Sequence, residues 1–408
     1  MELAKHLNVQ GDRHGRPRAL VSFVVIVVTL VSILLGLILA GSLVYSLLSV
    51  IAALRYLAVP RGRRAAADGL STLEPISVLK PLAGSDHGLE ANLRSFFEQD
   101  YPQFEIIFAV REECDPCVPV IRRLSAEYAH IPSCLMVVGE PSYLHAKVFS
   151  LSRMIAEARH ELLVMSDSDI RVGSDLLRRV AGEFATQPDG VQTALATCPY
   201  RAIAGASFWS KLEAVGMNTT FWQGVLTARM LHGMKFAVGP TIVARRAVIE
   251  AIGGIERVKD YIAEDFDLGR LVAEAGYRVI LSSYVIEHRI GSESLVDNIA
   301  HRIRWGRTSR RSRPAGYIGQ IFMHPLPVAA LLAVAAPEAW PVAALAAAIR
   351  YASAWVTARM VLGAPLNWLL LPVDDVLGWF FWIAGFFGNT ITWRGRTYRL
   401  DRQGRVVA

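Results

Sequence analysis

From Ala19 to Leu54 the chain carries no charged residue. A membrane-crossing helix needs ~20 apolar residues. The run is therefore too long for one straight crossing, while a hairpin of two crossings leaves almost no room for a turn. It predicts one long helix that tilts or protrudes beyond the bilayer. A cleavable signal peptide has an apolar core of only ~7–15 residues followed by a small-residue cleavage site. This run instead ends in Arg55, Arg61, Arg63 and Arg64.

After an Arg-, Ala- and Gly-rich linker over 60–74 the pattern changes. Ile76-Ser77-Val78-Leu79 reads as a short buried strand, and Leu89 to Gln99 has helical spacing with Leu89, Leu93, Phe96 and Phe97 on one side. Phe104–Val110, Leu135–Val138 and Leu162–Met165 read as strands, and Val118–Tyr128 and Ala146–Ala158 as the helices between them. This alternation predicts an α/β domain with a mostly parallel sheet covered by helices. Ligands of such sheets sit at the carboxyl ends of the strands. From residue 321 the chain is apolar again, in three segments: Pro325–Ala336, Trp340–Leu362 and Leu366–Ile391. The first is short for a crossing. The second carries Arg350 and Arg359, and the third Asp374 and Asp375. Charges are costly at a bilayer centre, so re-entrant or interfacial helices fit as well as crossings.

Composition agrees. Hydrophobic residues make up 53% and charged ones 19%, against roughly 45–50% and about 25% in ordinary soluble domains. The net charge of +7 is gathered in clusters. Residues 301–313 hold Arg302, Arg304, Arg307, Arg310, Arg311 and Arg313 without an acid, and the tail holds Arg394, Arg396, Arg399, Arg402 and Arg405. Beside apolar helices these read as attraction to anionic lipid headgroups rather than to nucleic acid. The Cys114-Asp115-Pro116-Cys117 spacing is half of a zinc site at most, since Cys134 and Cys198 stand alone. Free thiols are expected.

Three short stretches carry candidate chemistry. Asp167-Ser168-Asp169 follows the strand Leu162–Met165 at the edge where ligands bind. Two carboxylates one residue apart on a turn can share Mg²⁺ or Mn²⁺ and leave positions open for diphosphate oxygens. Glu264-Asp265 reads either as acids at a helix start, favoured by the dipole, or as the source of a general base for an acceptor hydroxyl. His301-Arg302-Ile303-Arg304-Trp305 opens the arginine cluster. Arg304 suits phosphate oxygens, and Trp305 suits a sugar or lipid face.

Taken together, residues 75 to about 313 resemble the ceramide glucosyltransferase family, as a bacterial member close to hopanoid-linked glycosyltransferases. Its aspartate motifs match Asp115-Pro116, Asp167-Ser168-Asp169 and Ala263-Glu264-Asp265. Its closing (Gln/Arg)-x-x-Arg-Trp appears as His301-x-x-Arg304-Trp305, with His301 departing from the usual first residue. Leu79-Lys80-Pro81-Leu82, Gln99-Asp100-Tyr101-Pro102 and Thr392-Trp393-Arg394-Gly395 add smaller matches.

The resemblance implies a GT-A domain with a Rossmann-like sheet over 75–320, flanked by an N-terminal helix within 1–59, membrane helices over 321–391 and a basic tail over 392–408. It implies transfer of a hexose, glucose, from a UDP-sugar to a lipid hydroxyl, ceramide, with inversion. Asp265 would be the base, and Asp169 with Asp167 would hold the divalent cation. Asp115, Asp167, Lys80 and Lys147 would bind the nucleotide sugar. His301, Arg304, Trp305 and Glu264 would serve the acceptor and diphosphate. The expected setting is a bacterial inner membrane with the catalytic domain in the cytoplasm, and no obligate protein partner. Three other readings share part of this pattern. Hopanoid glycosyltransferases share the motifs. Processive polysaccharide synthases begin the last motif with Gln and need more crossings. An inactive scaffold would show a broken aspartate set, and here the set is complete.

Overall fold

The computed structural model describes residues 16–58, 73–185, 191–292, 294–393 and 396–407. Most of the linker foreseen over 60–74 lies outside them. The first helix, α1 (Arg16–Ala58), is unbroken. At 1.5 Å per residue its 43 residues reach well past a hydrocarbon layer of about 30 Å. Its two parts meet different surroundings. Between Phe23 and Leu47 most large apolar side chains stand exposed, with Leu39 buried in a small separate cluster, whereas Ala52, Ala53 and Tyr56 are buried in the main core. The Tyr56 hydroxyl donates to the Ser282 carbonyl at 2.6 Å.

The middle of the chain folds as expected from its alternation: β1 (Ile76–Pro81), α2 (Leu89–Phe97), β2 (Phe104–Val110), α3 (Val118–Glu127), β3 (Ser133–Val137), α4 (Ala146–Glu157), β4 (Leu162–Ser166), β5 (Ile170–Arg171), α5 (Leu176–Ala185), β6 (Thr193–Thr197) and β7 (Tyr200–Ile203). Next come α6 (Phe208–Gly216), a π turn over Met217–Phe221, α7 (Trp222–His232), β8 (Thr241–Arg245), α8 (Arg246–Ala251), α9 (Glu264–Glu274), β9 (Arg278–Leu281) and β10 (Ile286–Arg289). Seven strands form one sheet in the order β3-β2-β1-β4-β8-β6-β9. Only β8 runs against its neighbours β4 and β6. Strands β1, β2 and β4 are almost wholly buried, as expected of strands covered on both faces. A small sheet, β5-β10-β7, sits beyond the end of β4 and brings β10 beside Ile170 and Arg171.

The remaining elements are α10 (Leu295–Ser312), α11 (Pro314–Gly319), α12 (Pro325–Ala335), α13 (Trp340–Trp355) with a π turn over Val356–Val361, α14 (Leu371–Gly385), and the strands β11 (Thr390–Trp393), β12 (Arg396–Leu400) and β13 (Val406–Val407). Among the described residues Ser22–Ala58 alone is long and apolar enough to cross a membrane as a single helix. The segments Pro314–Phe322 and Pro325–Ala335 pass that test only jointly, and they meet at a bend of 46°. The acids that make α14 unsuitable for lipid are paired inside the protein. Asp374 lies 2.9 Å from Arg302, and Asp375 2.7 Å from Arg350. The stretch expected as a basic tail forms a three-stranded antiparallel sheet in its described part.

The arginine cluster over 302–313 is also largely engaged within the protein. Arg307 and Arg310 donate to carbonyls of Phe386, Phe387, Gly388 and Thr390 at the end of α14. Arg313 lies over the rings of Phe236 and Phe266. Cations are favoured at a helix C-terminus, where carbonyls lack partners.

Candidate active site

Strand β4 delivers Asp167-Ser168-Asp169 to the carboxyl edge of the sheet, onto the wall of a cavity of about 1290 Å³. The turn is held on several sides. Asp167 N–H donates to the Pro240 carbonyl at 3.0 Å, and the Asp169 carbonyl accepts from Arg289 N–H at 2.8 Å. Asn92 donates to the Ser168 carbonyl at 3.2 Å.

The two carboxylates have different partners. Asp167 Oδ1 lies 2.7 Å from Lys147 Nζ, which is also 2.9 Å from Glu264 Oε1. Burial pushes the Asp167 carboxyl up, and Lys147 counters only part of the rise. Asp169 Oδ2 lies 3.0 Å from His288 Nε2 on β10. Burial would raise Asp169, yet His288 and Lys80 together hold it below the usual carboxylate range. The other oxygen, Asp169 Oδ1, is buried and has no hydrogen-bond partner in the protein. A buried carboxylate oxygen is rarely left so, and a cation shared with Asp167 would satisfy it. Among the described residues no group of three His, Cys, Asp or Glu side chains could hold a metal by itself. Two carboxylates suffice for Mg²⁺ or Mn²⁺ when water and diphosphate complete the shell.

Helix α9 begins at Glu264, so Glu264 and Asp265 occupy its first turn. They diverge despite being neighbours. Glu264 turns to Lys147 and to His145, whose Nε2 lies 3.3 Å away. His145 Nδ1 accepts from Val148 N–H at the start of α4, which leaves Nε2 as the protonated nitrogen facing Glu264. Burial would raise Glu264, but Lys147 and His145 outweigh it and hold the carboxylate ionised. Asp265 instead lies against Gly239. A Cβ at Gly239 would sit 2.8 Å from Asp265 Oδ2, so glycine is what admits the carboxylate there. Burial, and then the Glu264 charge, push the Asp265 carboxyl up to about 7.

The opposite wall is α10. His301, Arg304 and Trp305 all line the cavity. His301 Nδ1 lies 3.4 Å from Glu213, and its ring meets Trp305 edge-on at 4.6 Å. Burial and the neighbouring Arg304 push His301 down to about 3, so it is neutral. Trp305 packs on Phe221 at 5.6 Å. Glu213 is nearly inaccessible and accepts from Asn298 at 2.7 Å and Arg302 at 2.9 Å, which fixes α10 against α6.

Two expected ligand contacts stand behind the cavity surface. Lys80 is fully buried over the Phe96 ring, donates to the Asp167 carbonyl at 2.5 Å, and is pushed down to about 7 by burial. The Asp115 carboxylate accepts from Gly84 N–H and Cys117 N–H, each at about 3.0 Å, and so ties down the loop after β1. The neighbouring Leu82, Ala83, Asp86 and His87 of that loop line the cavity. All four cysteines are free, as expected.

A family model, Glycosyl transferase family 21, matches residues 34–406. The chain belongs to that family. It is 26% identical over 235 residues to ceramide glucosyltransferase 1 of Caenorhabditis elegans, covering 57% of this chain and 49% of that protein. It is 32% identical over 111 residues to a ceramide glucosyltransferase of Komagataella phaffii, covering 26% and 22% of the two chains. The chain thus spans about half the length of the first curated relatives it matches. A solved mannosyltransferase of Pyrobaculum calidifontis, in complex with GDP-Man and Mn²⁺, superimposes with a TM-score of 0.50 at 20% identity, over 88% of this chain and 97% of that one. The shared architecture is the GT-A fold expected from the sequence.

Within this family 21 chain, sequence reasoning passed over His145, Glu213 and His288. Glu213 left one signal: a lone acid among the apolar residues of Phe208–Met217 needs a buried partner. His145 and His288 left none, because their partners are 119 residues away in each case.

Proposed function

We propose that the protein transfers a hexose, glucose, from a UDP-sugar to the hydroxyl of a membrane lipid, ceramide, by one inverting displacement. The observation that carries this reading is the continuity of the cavity. It runs from Asp167 and Asp169 past Asp265 and on to Met323, His324, Phe381 and Trp382 of the C-terminal apolar elements. A soluble nucleotide sugar needs the first end and a lipid acceptor needs the second.

Asp265 is the group suited to take the acceptor proton. A general base works best with a pKa near the operating pH, and burial beside Glu264 supplies that value. Gly239 lets the carboxylate lie on the backbone, which limits its rotation. Lys147 keeps Asp167 and Glu264 close together without mutual repulsion. Arg304 offers a guanidinium to diphosphate oxygens, neutral His301 a hydrogen bond without charge, and Trp305 a flat apolar face. Asp167 and Asp169 would hold Mg²⁺ or Mn²⁺, which when bound neutralises charge gathering on the departing diphosphate. The exposed apolar surface of α1 supports a membrane anchor. Nucleotide sugars are cytoplasmic, so the catalytic domain would lie on that side.

The test is direct. Purified protein is incubated with UDP-glucose, UDP-galactose and UDP-GlcNAc against ceramide, hopanoid and diacylglycerol in mixed micelles, and products are identified by mass spectrometry. Glucosylceramide is the expected product. A hexosylated hopanoid would overturn the acceptor assignment, and a polymer would overturn single transfer.

A further inference from the structure

A second cavity, of about 680 Å³, lies at the domain end of α1 and shares no lining residue with the active-site cavity. The last turns of α1, the end of α7, the start of α5, the edge strand β9 and the π turn after α13 enclose it. Arg55, Arg179 and Arg229 line it, with Asp175 as the acid among the described lining residues. Asp175 is already taken by Arg179 at 2.6 Å. Arg229 lies over the Tyr56 ring at 5.6 Å. Arg55 is exposed, and among the described residues no carboxylate pairs with it. Glu183 lies behind the wall, accepting from the lining Ser283, so the charge the cavity leaves open to a ligand is that of Arg55, which the proposed transfer reaction does not use.

Its depth is marked by the side chains around it. The lipid-facing stretch of α1 ends with Leu54, 48% exposed, directly before Arg55. Across the cavity Met360 follows exposed Trp355 by little more than a turn. Tryptophans of this kind collect at the membrane–water interface. Leu57, Met234 and Val361 add apolar side chains to its lining. An open guanidinium beside apolar lining at headgroup depth matches a phosphodiester with acyl chains attached. A free phosphate would need only the former. The arginines of α10, the stronger candidates by sequence, are meanwhile largely occupied by Glu213, Asp374 and the carbonyls after α14.

We propose that this cavity binds the headgroup of an anionic membrane phospholipid, with the phosphate against Arg55 and the acyl chains along the apolar lining. The proposal rests on reading α1 as a membrane anchor, and its test reads lipid retention rather than sugar transfer. The full chain in neutral detergent is titrated with phosphatidylglycerol or phosphatidylcholine, and bound lipid is counted by native mass spectrometry. One phosphatidylglycerol should be retained at least tenfold more tightly than phosphatidylcholine. Arg55→Gln should weaken it about fivefold, the effect of one arginine at a membrane surface, and Arg55→Lys should restore most of the loss. Arg402→Gln removes the same charge from an exposed position outside the cavity and should change nothing. An unchanged thermal midpoint shows that each variant is folded. Equal retention of the two lipids, equal losses in Arg55→Gln and Arg402→Gln, or displacement by millimolar inorganic phosphate would each overturn the assignment.

Discussion

Replacing Asp265 with asparagine removes a charge while keeping the shape, and its consequences differ for stability and for turnover. Burial and the Glu264 charge push the Asp265 carboxyl up to about 7, against about 3.9 for an unfolded aspartate. That gap corresponds to about 4 kcal/mol held against the native state once both forms are ionised. The side chain faces a cavity and is partly exposed, so water screening makes this a ceiling. The sign follows from proton counting. Below about pH 4 both states are protonated and the penalty vanishes. Between about 4 and 7 the unfolded chain has released its proton while the native state keeps it, so the penalty grows with pH. Above about 7 it is constant. Asp265→Asn should therefore raise the thermal midpoint at pH 8 and leave it unchanged at pH 4. Turnover should fall by ~10²–10⁴, the usual loss when a base is removed, with UDP-sugar affinity nearly intact. The wild-type rate should climb with pH through about 7 and then level off. The assays are unfolding midpoints across pH 4–9 and transfer rates with donor titrations. A variant no more stable than wild type at pH 8, or one that loses donor affinity in proportion to rate, would refute the reasoning.

Other outcomes follow from the same geometry. Glu264→Gln should slow transfer less than Asp265→Asn and move the midpoint of the pH–rate profile downward, because the charge that raises Asp265 is gone; a profile that stays in place contradicts this. Exhaustive chelation should abolish turnover, with Mn²⁺ or Mg²⁺ restoring it, and Asp169→Ala should weaken donor and metal binding together; full activity after chelation excludes the cation. Arg350→Leu should destabilise the protein by about 3–5 kcal/mol by leaving Asp375 buried with only His324 and the Leu326 N–H beside it. The double replacement of Arg350 and Asp375 by leucine should recover much of that loss in thermal melts.

Local pattern carried the fold well where burial is two-sided or one-sided in a regular way. Strand β2 begins and ends where the apolar run does, and β1 and β4 lie within a residue or two of theirs. Parallel strands covered on both faces leave continuous apolar runs that a sequence displays openly. The acidic turn, the Glu264-Asp265 pair and His301-x-x-Arg304-Trp305 were legible as separate motifs, and they line one cavity. Their roles were less legible, since these depend on neighbours distant in the chain. Nothing near Glu264 announces that Lys147 and His145 will hold it, leaving its neighbour for the cleft. Lys80 appeared as a ligand contact, but its position in a fully buried strand turns it toward the backbone of the acidic turn. The arginines of α10 suggested headgroups because charge clustering is visible in sequence, whereas the carbonyls that take them up are not.

The long helix α1 has one further consequence. Most large apolar side chains between Phe23 and Leu47 face outward, and Ala52, Ala53 and Tyr56 are embedded in the same core as the sheet. The end of α1 and the sheet therefore pack as one body. If α1 is seated in a bilayer, the acidic turn and Asp265 stand at a set altitude above it, and the enzyme works like a gauge block. On the proposed function, an acceptor would then be recognised by how far its hydroxyl projects from the surface as well as by its chemistry. Lipids whose reactive group sits a few ångströms too deep would be excluded by elevation alone.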